Sequence, residues 1–289
     1  MRKTIRQFEK MLEPAGIQLN GTNAWDIEVH DKNLFPRLAR DGTLGLGEAY
    51  MDGWWDCPAL DEMIDRAFRA GLEDKVRNNS RFLLYLLSCR LLNHQSRARA
   101  FQVGEQHYDI GNDVFESMLD SYMNYSCGYW DSAGDLEQAQ IAKMQMICAK
   151  LKLEPGMQVL DLGCGWGGLS RWMAERHGVD VTGVTVSKEQ AQLARERCVG
   201  LPVAIEVKDY RDLDGEFDRI ASVGMFEHVG QRNYRTFFQK TYSLLKSEGL
   251  FLLHTIGASR GGFATDRWIE KYIFPNGVLP PAQVLTERA

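Results

Sequence analysis

The sequence predicts an α/β fold: a mostly parallel sheet flanked by helices, preceded by a small, mostly helical N-terminal domain. Three observations carry this. From about residue 111, apolar β-branched runs alternate with amphipathic ones, the pattern of strands joined by crossover helices. Residues 1–90 lack that alternation and read as short helices with glycine-rich joints. One strand runs into "VLDLGCGWGGL", where four glycines fall within Gly163–Gly168 at the start of a helix.

In order along the chain, "TIRQFEKMLEPAG" has helical spacing and a Pro-Ala-Gly stop. "DKNLFPRLARDGTLGLGEAYMDGWW" is a helix, a turn and an aromatic cluster, and "PALDEMIDRAFRAGLEDKVRNNSRFLLYLLSCRLLN" is long and mostly helical. Residues 91–110 read as a linker of mixed polarity, and residues 111–289 as the second domain. There "DVFESMLD" and "DLEQAQIAKMQMICAKLKL" are helical. The strands "QVLDLG", "DVTGVTV", "VAIEVKD", "FDRIASV" and "GLFLLHTI" follow, separated by the helices "LSRWMAERHG", "KEQAQLARERCVG" and "YRTFFQKTYSLLK". In such sheets a ligand sits beyond the carboxyl ends of the strands, near the point where strand order reverses.

The net charge of −5 argues against a general nucleic-acid binder, which needs cations to neutralise phosphates. Six cysteines at irregular positions form no CxxC pair, and reduced thiols in a cytoplasm are the simpler reading. "MRKTIRQFEKMLEPAG" has no apolar h-region and is not a secretory signal. The apolar run "FLLYLLSCRLL" is too short to span a bilayer and is broken by Arg90. Basic residues around it, over 75–99, suit an anionic membrane surface; a buried helix with its cations on the solvated face suits them equally. Trp54 and Trp55 are a second candidate for the membrane interface, or for core.

Asp161, Gly163, Gly165, Gly167 and Gly168 form a turn that lets backbone approach a nucleotide-like cofactor; a tight turn without ligand is the alternative. The spacing G-x-G-x-G-G is not that of a dinucleotide fingerprint, and the Lys-Ser/Thr of a P-loop is missing. The second strand ends without the acid a dinucleotide fold places there, leaving Thr185 and Gln190 in reach. The third ends "KDYRDL", where Asp209 could bond an adenine amino group and Tyr210 could cover the ring. Together these point to S-adenosylmethionine, its methionine end on the glycine loop.

The blocks "GEQHYDIGNDVFESMLD", "YSCGYW", "VLDLGCGWGG", "GVTVSKEQ", "FDRIASVGMFEHVG", "FLLHTIG" and "WIEKYIFPNG", with "DGTLGLGEAYMDGWWDC" before them, resemble the cyclopropane-fatty-acyl-phospholipid synthases over nearly the whole chain. The resemblance implies a class I S-adenosylmethionine methyltransferase fold, Rossmann-like. It implies transfer of a methyl group to the cis double bond of an unsaturated phospholipid acyl chain, closing a cyclopropane ring. Cofactor contacts carried over are Tyr125, Ser126, the loop from Val159 through Asp161, Gly163, Cys164 and Gly165 to Gly167, Thr185, Gln190, Tyr210 and Arg211. A bicarbonate ion would serve as base, held by Cys127, Glu227, His254 and the backbone at Ile256. The same resemblance implies a cytoplasmic enzyme working peripherally at the inner face of the membrane, and is compatible with a homodimer. Family members continue beyond "PPAQVLTERA", so the last strands of the sheet and a site tyrosine are expected to be missing.

The chemistry has its own requirements. An alkene is a neutral nucleophile and needs alignment in a dry site rather than activation. The resulting carbocation can be stabilised by aromatic faces, and "YSCGYW" offers Tyr125, Tyr129 and Trp130, for which core packing is the alternative. Ring closure releases a proton and needs a base. Glu227 and His228 are adjacent after the fourth strand; on extended chain only one would face the site, and the resemblance selects Glu227. His254 ends the fifth strand, and Cys127 suits a ligand or wall rather than a nucleophile. Cys127, Glu227 and His254 also resemble a zinc set, a weaker reading than an anion, and Glu227 would repel an anion unless a proton is shared. A methyl-branched or methylene product, or cofactor and lipid binding without turnover, are the rival functions.

Overall fold

The computed structural model describes residues 2–72, 112–258, 266–274 and 277–288. The linker expected at 91–110 and the basic stretch at 75–99 lie outside the described residues. Contacts divide the chain into Met1–Leu92 with Thr265–Ile273, and Asn93–Ala264 with Phe274–Ala289.

The first unit opens with α1 (Arg2–Leu12), β1 (Glu28–Val29), α2 (Leu34–Asp41), α3 (Thr43–Met51), β2 (Trp55–Asp56) and α4 (Leu60–Arg69). Phe8 and Leu12 of α1 meet Leu34 and Phe35 of α2 in a core that also takes Ile17, Ile27 and Trp55. The two-residue strands pair antiparallel, Val29 opposite Trp55. Elements that short carry no periodicity, so they are invisible in the sequence pattern. Trp55 is core, its indole N–H donating to Leu46 O at 2.9 Å, which removes it as an interface residue. Trp54 is half-buried beneath the Arg37 guanidinium, 4.7 Å from its ring.

The helix Arg267–Tyr272 belongs to this unit and explains a glycine inside α3. A Cβ on Gly47 would lie 2.4 Å from Trp268 Cδ1, so only glycine admits the indole. Beside it, Glu48 accepts from Lys271 Nζ at 2.5 Å, Arg37 Nη2 at 2.9 Å and Tyr272 Oη at 3.0 Å. The bond from Lys271, then that from Arg37, draws its carboxyl down to about 2. A depressed carboxyl stabilises the fold above its ordinary value of 4.5, and the contribution is lost as pH falls toward about 2. Glu48→Gln therefore destabilises the protein at pH 7 by about 1–3 kcal/mol. The difference from wild type shrinks in acid, as urea unfolding at neutral and acid pH would show.

The second unit contains α5 (Asn112–Met118), α6 (Leu136–Leu151), β3 (Gln158–Leu162), α7 (Gly168–His177), β4 (Asp180–Thr185), α8 (Lys188–Arg197), β5 (Val203–Val207), β6 (Phe217–Val223), α9 (Tyr234–Leu244) and β7 (Leu245–His254). After the Arg267–Tyr272 helix, α10, the chain returns to this unit and ends in α11 (Ala282–Arg288). The sheet has the order β5-β4-β3-β6-β7, and every pair is parallel. All five strands expected from the sequence are present. Strand order reverses between β3 and β6, which defines the switch point. Met144 and Ile147 of α6 and Trp172 and Met173 of α7 cover one face, against Val159, Val181 and Ala221. Phe237 and Tyr234 of α9 cover the other, against Leu160, Leu162 and Ile220. Burial on both faces is why these strands read as near-continuous apolar runs.

Cys57, Cys127, Cys148, Cys164 and Cys198 are free thiols. Among the described residues no helix is long and apolar enough to cross a membrane.

Candidate active site

A cavity of about 180 Å³ opens at the carboxyl ends of β3, β4 and β6, at the switch point. It is lined by Tyr125, Ser126, Asp161, Gly163, Cys164, Gly165, Thr185, Gln190, Asp209, Tyr210 and Arg211, all expected from the sequence. Val159 lies deeper in β3, fully buried between α6 and α7, and Gly167 is buried at the cap of α7; neither lines the cavity.

The loop glycines differ in what they do. Gly165 has φ +54° and its Cβ position meets nothing within 4 Å, so backbone here stands open to a ligand. Gly168 instead packs against chain: a Cβ there would lie 2.0 Å from the Tyr122 carbonyl oxygen. Asp161 is 2% exposed and accepts from Ser170 Oγ at 2.7 Å; burial pushes its carboxyl up to about 6. At the end of β4, Thr185 Oγ1 donates to Gln190 Oε1 at 2.9 Å, which orients the Gln190 amide. Beyond β5 the Asp209 carboxylate is held by Arg211, from Nε at 2.7 Å and Nη2 at 2.5 Å. The Arg211 guanidinium also lies 5.2 Å from the Tyr210 ring centroid. Tyr210 Oη is buried without a hydrogen-bond partner, and burial pushes this phenol up to about 12.

A second group surrounds the end of β7. Cys127 is exposed, with Sγ 3.6 Å from His254 Nε2. The His254 carbonyl accepts from Gly224 N at 3.1 Å, which fixes the strand end beside the cavity wall. Glu227 is buried; its Oε1 accepts from Ile256 N at 2.7 Å, and its Oε2 has no partner. His254 Nδ1 likewise has none. Burial, and then the nearby charge of Lys143, lowers the His254 imidazole below its ordinary value.

"MFEHVG" is not extended chain. Phe226–His228 forms a 3-10 turn, so strand alternation does not choose between its neighbours. Glu227 turns to Ile256, while His228 lines the cavity, its ring 6.2 Å from that of Phe274. Tyr129 and Trp130 are 44% and 54% exposed and line no part of the cavity. Tyr125 does line it, with its ring 5.3 Å from Phe115 and 6.1 Å from Phe274.

Among the lining residues that the sequence reading missed is a buried cation. Lys143 is 2% exposed, donates from Nζ to Ser126 Oγ at 2.7 Å, and is drawn down to about 8 by burial. A signal existed: in α6 it shares the stripe of Ala139, Met144, Ile147, Cys148 and Leu151, and a cation on an apolar stripe demands a partner.

Residues 95–289 match the protein family described as mycolic acid cyclopropane synthetase. The chain is also 52% identical to the cyclopropane-fatty-acyl-phospholipid synthase of Escherichia coli strain K12, over 98% of this chain and 74% of that protein. The chain belongs to the cyclopropane synthase family. Among solved structures, the cyclopropane synthase MmaA2 of Mycobacterium tuberculosis superimposes with a TM-score of 0.60 at 32% identity, covering 65% of this chain and 72% of that one. The mycolic acid cyclopropane synthase CmaA1, solved with SAH and CTAB, gives a TM-score of 0.59 at 34% identity, covering 65% and 72%. The five-stranded parallel sheet of this cyclopropane synthase is that of the class I S-adenosylmethionine methyltransferases. The family match, over residues 95–289, includes the cavity lining and the group at the end of β7.

Proposed function

We propose that the chain is a cyclopropane-fatty-acyl-phospholipid synthase, using S-adenosylmethionine to convert the cis double bond of an unsaturated phospholipid acyl chain to a cyclopropane. The observation that carries this is a cleft at the switch point whose lining residues Ser126 and His228 are the chain neighbours of Cys127 and Glu227, with His254 3.6 Å from Cys127 Sγ. The residues present suit the cofactor: open backbone at Gly165, a buried acid at Asp161, and the unsatisfied Tyr210 hydroxyl. When bound, S-adenosylmethionine supplies an electrophilic sulfonium methyl. The chain contributes alignment of the alkene in an apolar, dry space, where Tyr125 offers a π face to positive charge on the acyl chain.

The group at the end of β7 receives the proton released on ring closure. It suits bicarbonate in the specific sense that Glu227 Oε2 lacks a donor, which a hydroxyl on the anion would supply. That hydrogen bond would offset repulsion between the anion and the Glu227 carboxylate. Bicarbonate, when bound there, would supply the base, with Cys127, Glu227, His254 and the backbone at Ile256 holding it. The lipid resides in a bilayer, so the protein works peripherally at the inner membrane face in this reading, as a monomer or a homodimer.

Calorimetric titration with S-adenosylmethionine, followed by incubation with vesicles of unsaturated phospholipid and mass spectrometry of the acyl chains, tests the proposal. The expected outcome is saturable binding and a cyclopropane product. A methylene isomer or methyl-branched chain after derivatisation, or binding without any turnover, would replace this reading with one of its rivals.

A further inference from the structure

The lysine and arginine side chains of the cavity wall are not equally committed. Arg211 is held by Asp209, with Nη2 2.5 Å from Oδ2, and Lys208 Nζ lies 3.1 Å from Glu206 Oε2. Lys143 is 2% exposed and, among the described residues, bonds only to the neutral Ser126 hydroxyl, at 2.7 Å. Asp120 acts on it through charge alone, because its oxygens accept from Tyr122 N, Asn124 N and Asn124 Nδ2. A buried charge without an ion-pair partner is costly to keep.

The same stretch of α6 fixes what stands beside the ammonium. Gln140 Nε2 donates to the main-chain oxygens of Ser126 at 2.8 Å and of Asn124 at 3.3 Å. An ammonium only donates, so Ser126 Oγ accepts from Lys143 and its own hydrogen points elsewhere. Among the described residues no acceptor takes that hydrogen, and Ser126 lines the cavity. Lys143 lines it too, and uses one of the three donors an ammonium carries. Together the two side chains offer the cavity donors and positive charge.

We propose that Lys143 and Ser126 form a carboxylate subsite, which takes the α-carboxylate at the methionine end of S-adenosylmethionine, with Gln140 positioning Ser126. The inference rests on the reading of the cavity as the cofactor site and names the side chains that read one group of that cofactor. Charge selects the group. The sulfonium and the amine of S-adenosylmethionine are positive and are repelled by an ammonium, the adenosine is neutral, and the carboxylate is the one anion the molecule carries. A carboxylate accepts several hydrogen bonds, and those from charged donors are the strong ones. Burial draws the lysine down to about 8, so it is still mostly charged at pH 7. The glycine loop gives the methionine end open backbone at Gly165, and this pair gives it charge.

The test compares two ligands that differ in the carboxylate alone. Calorimetry on the full chain gives the affinities of S-adenosylmethionine and of decarboxylated S-adenosylmethionine, which keeps the sulfonium and the amine. The wild type is expected to prefer the first by roughly 10- to 100-fold. In Lys143→Met that preference is expected to collapse, because the carboxylate loses its partner while the decarboxylated ligand loses a repulsion. Ser126→Ala, which keeps the ammonium, is expected to lower the preference by roughly 3- to 10-fold. A variant that merely distorts the pocket weakens both ligands together and leaves their ratio unchanged. The wild-type ratio in a folded Lys143→Met protein, as expected if the ammonium faced bicarbonate instead, overturns the proposal. If Lys143→Met does not fold, Ser126→Ala decides, and an unchanged ratio there is equally fatal. Failure of the cofactor reading is separately visible, as absence of S-adenosylmethionine binding by the wild type; binding without a cyclopropane product would remove only the reading of the reaction.

Discussion

Glu227→Gln lowers kcat by about 10²–10⁴-fold while the affinity for S-adenosylmethionine stays close to that of the wild type. The substitution is nearly isosteric. Its retained carbonyl can still accept from Ile256 N, the 2.7 Å bond that holds the turn against the end of β7. What changes is the other oxygen. Glu227 Oε2 is buried and has no partner, and an amide in its place presents donors where an acceptor stood. A group that must accept a hydrogen bond from the base, or share its proton, is lost at unchanged shape. His254→Ala is expected to behave in the same way. Cofactor affinity is measured by calorimetry and turnover by product mass; an equal loss of both in Glu227→Gln would mean that the residue shapes the cofactor pocket instead.

Gly168→Ala destabilises the protein by about 1–3 kcal/mol or more, and Gly165→Ala acts mainly on cofactor affinity. The Gly168 Cβ would lie 2.0 Å from the Tyr122 carbonyl, and backbone cannot step aside as a flexible side chain can. Relief requires moving Tyr122, and with it the segment that carries Tyr125 and Ser126 into the cavity. Both Tm and cofactor affinity therefore fall. At Gly165 a methyl meets no atom within 4 Å, so only the left-handed backbone is strained, at about 1–2 kcal/mol. Gly165 lines the cavity, so a methyl there adds bulk at the loop that meets the cofactor. Melting curves and calorimetry on the two variants separate the effects; a Gly168→Ala protein melting with the wild type would refute the packing role.

Some of this was legible in the residues. Each of the five parallel strands was marked by an apolar, β-branched run, because strands covered by helices on both faces show little alternation. The loop of residues 161–168 was marked by its glycines, and Thr185, Gln190 and Tyr210 by their places at strand ends. Val159 and Gly167 show the limit of that reading. Both belong to the motif, yet one packs under α6 and α7 and the other caps α7, because a motif also contains the residues that hold its loop in shape. The turn at Phe226–His228 was hidden because three residues carry no period, and the β1–β2 pair for the same reason.

By itself, the sequence determined the alternation of strands and helices, the absence of a phosphate-type loop, and the family resemblance that names the chemistry. These depend on residue type and local spacing, which a linear reading contains. Tertiary structure alone decided which loop glycine faces ligand and which faces Tyr122, and that Asp209 is already held by Arg211. It also brought Lys143 to Ser126, and Cys127 to His254, across long stretches of chain. Such pairings follow from how α6 lies on the sheet and where β6 and β7 end. The partner of a buried charge is therefore a property of packing, while the need for a partner can already be read from a lysine on an apolar stripe.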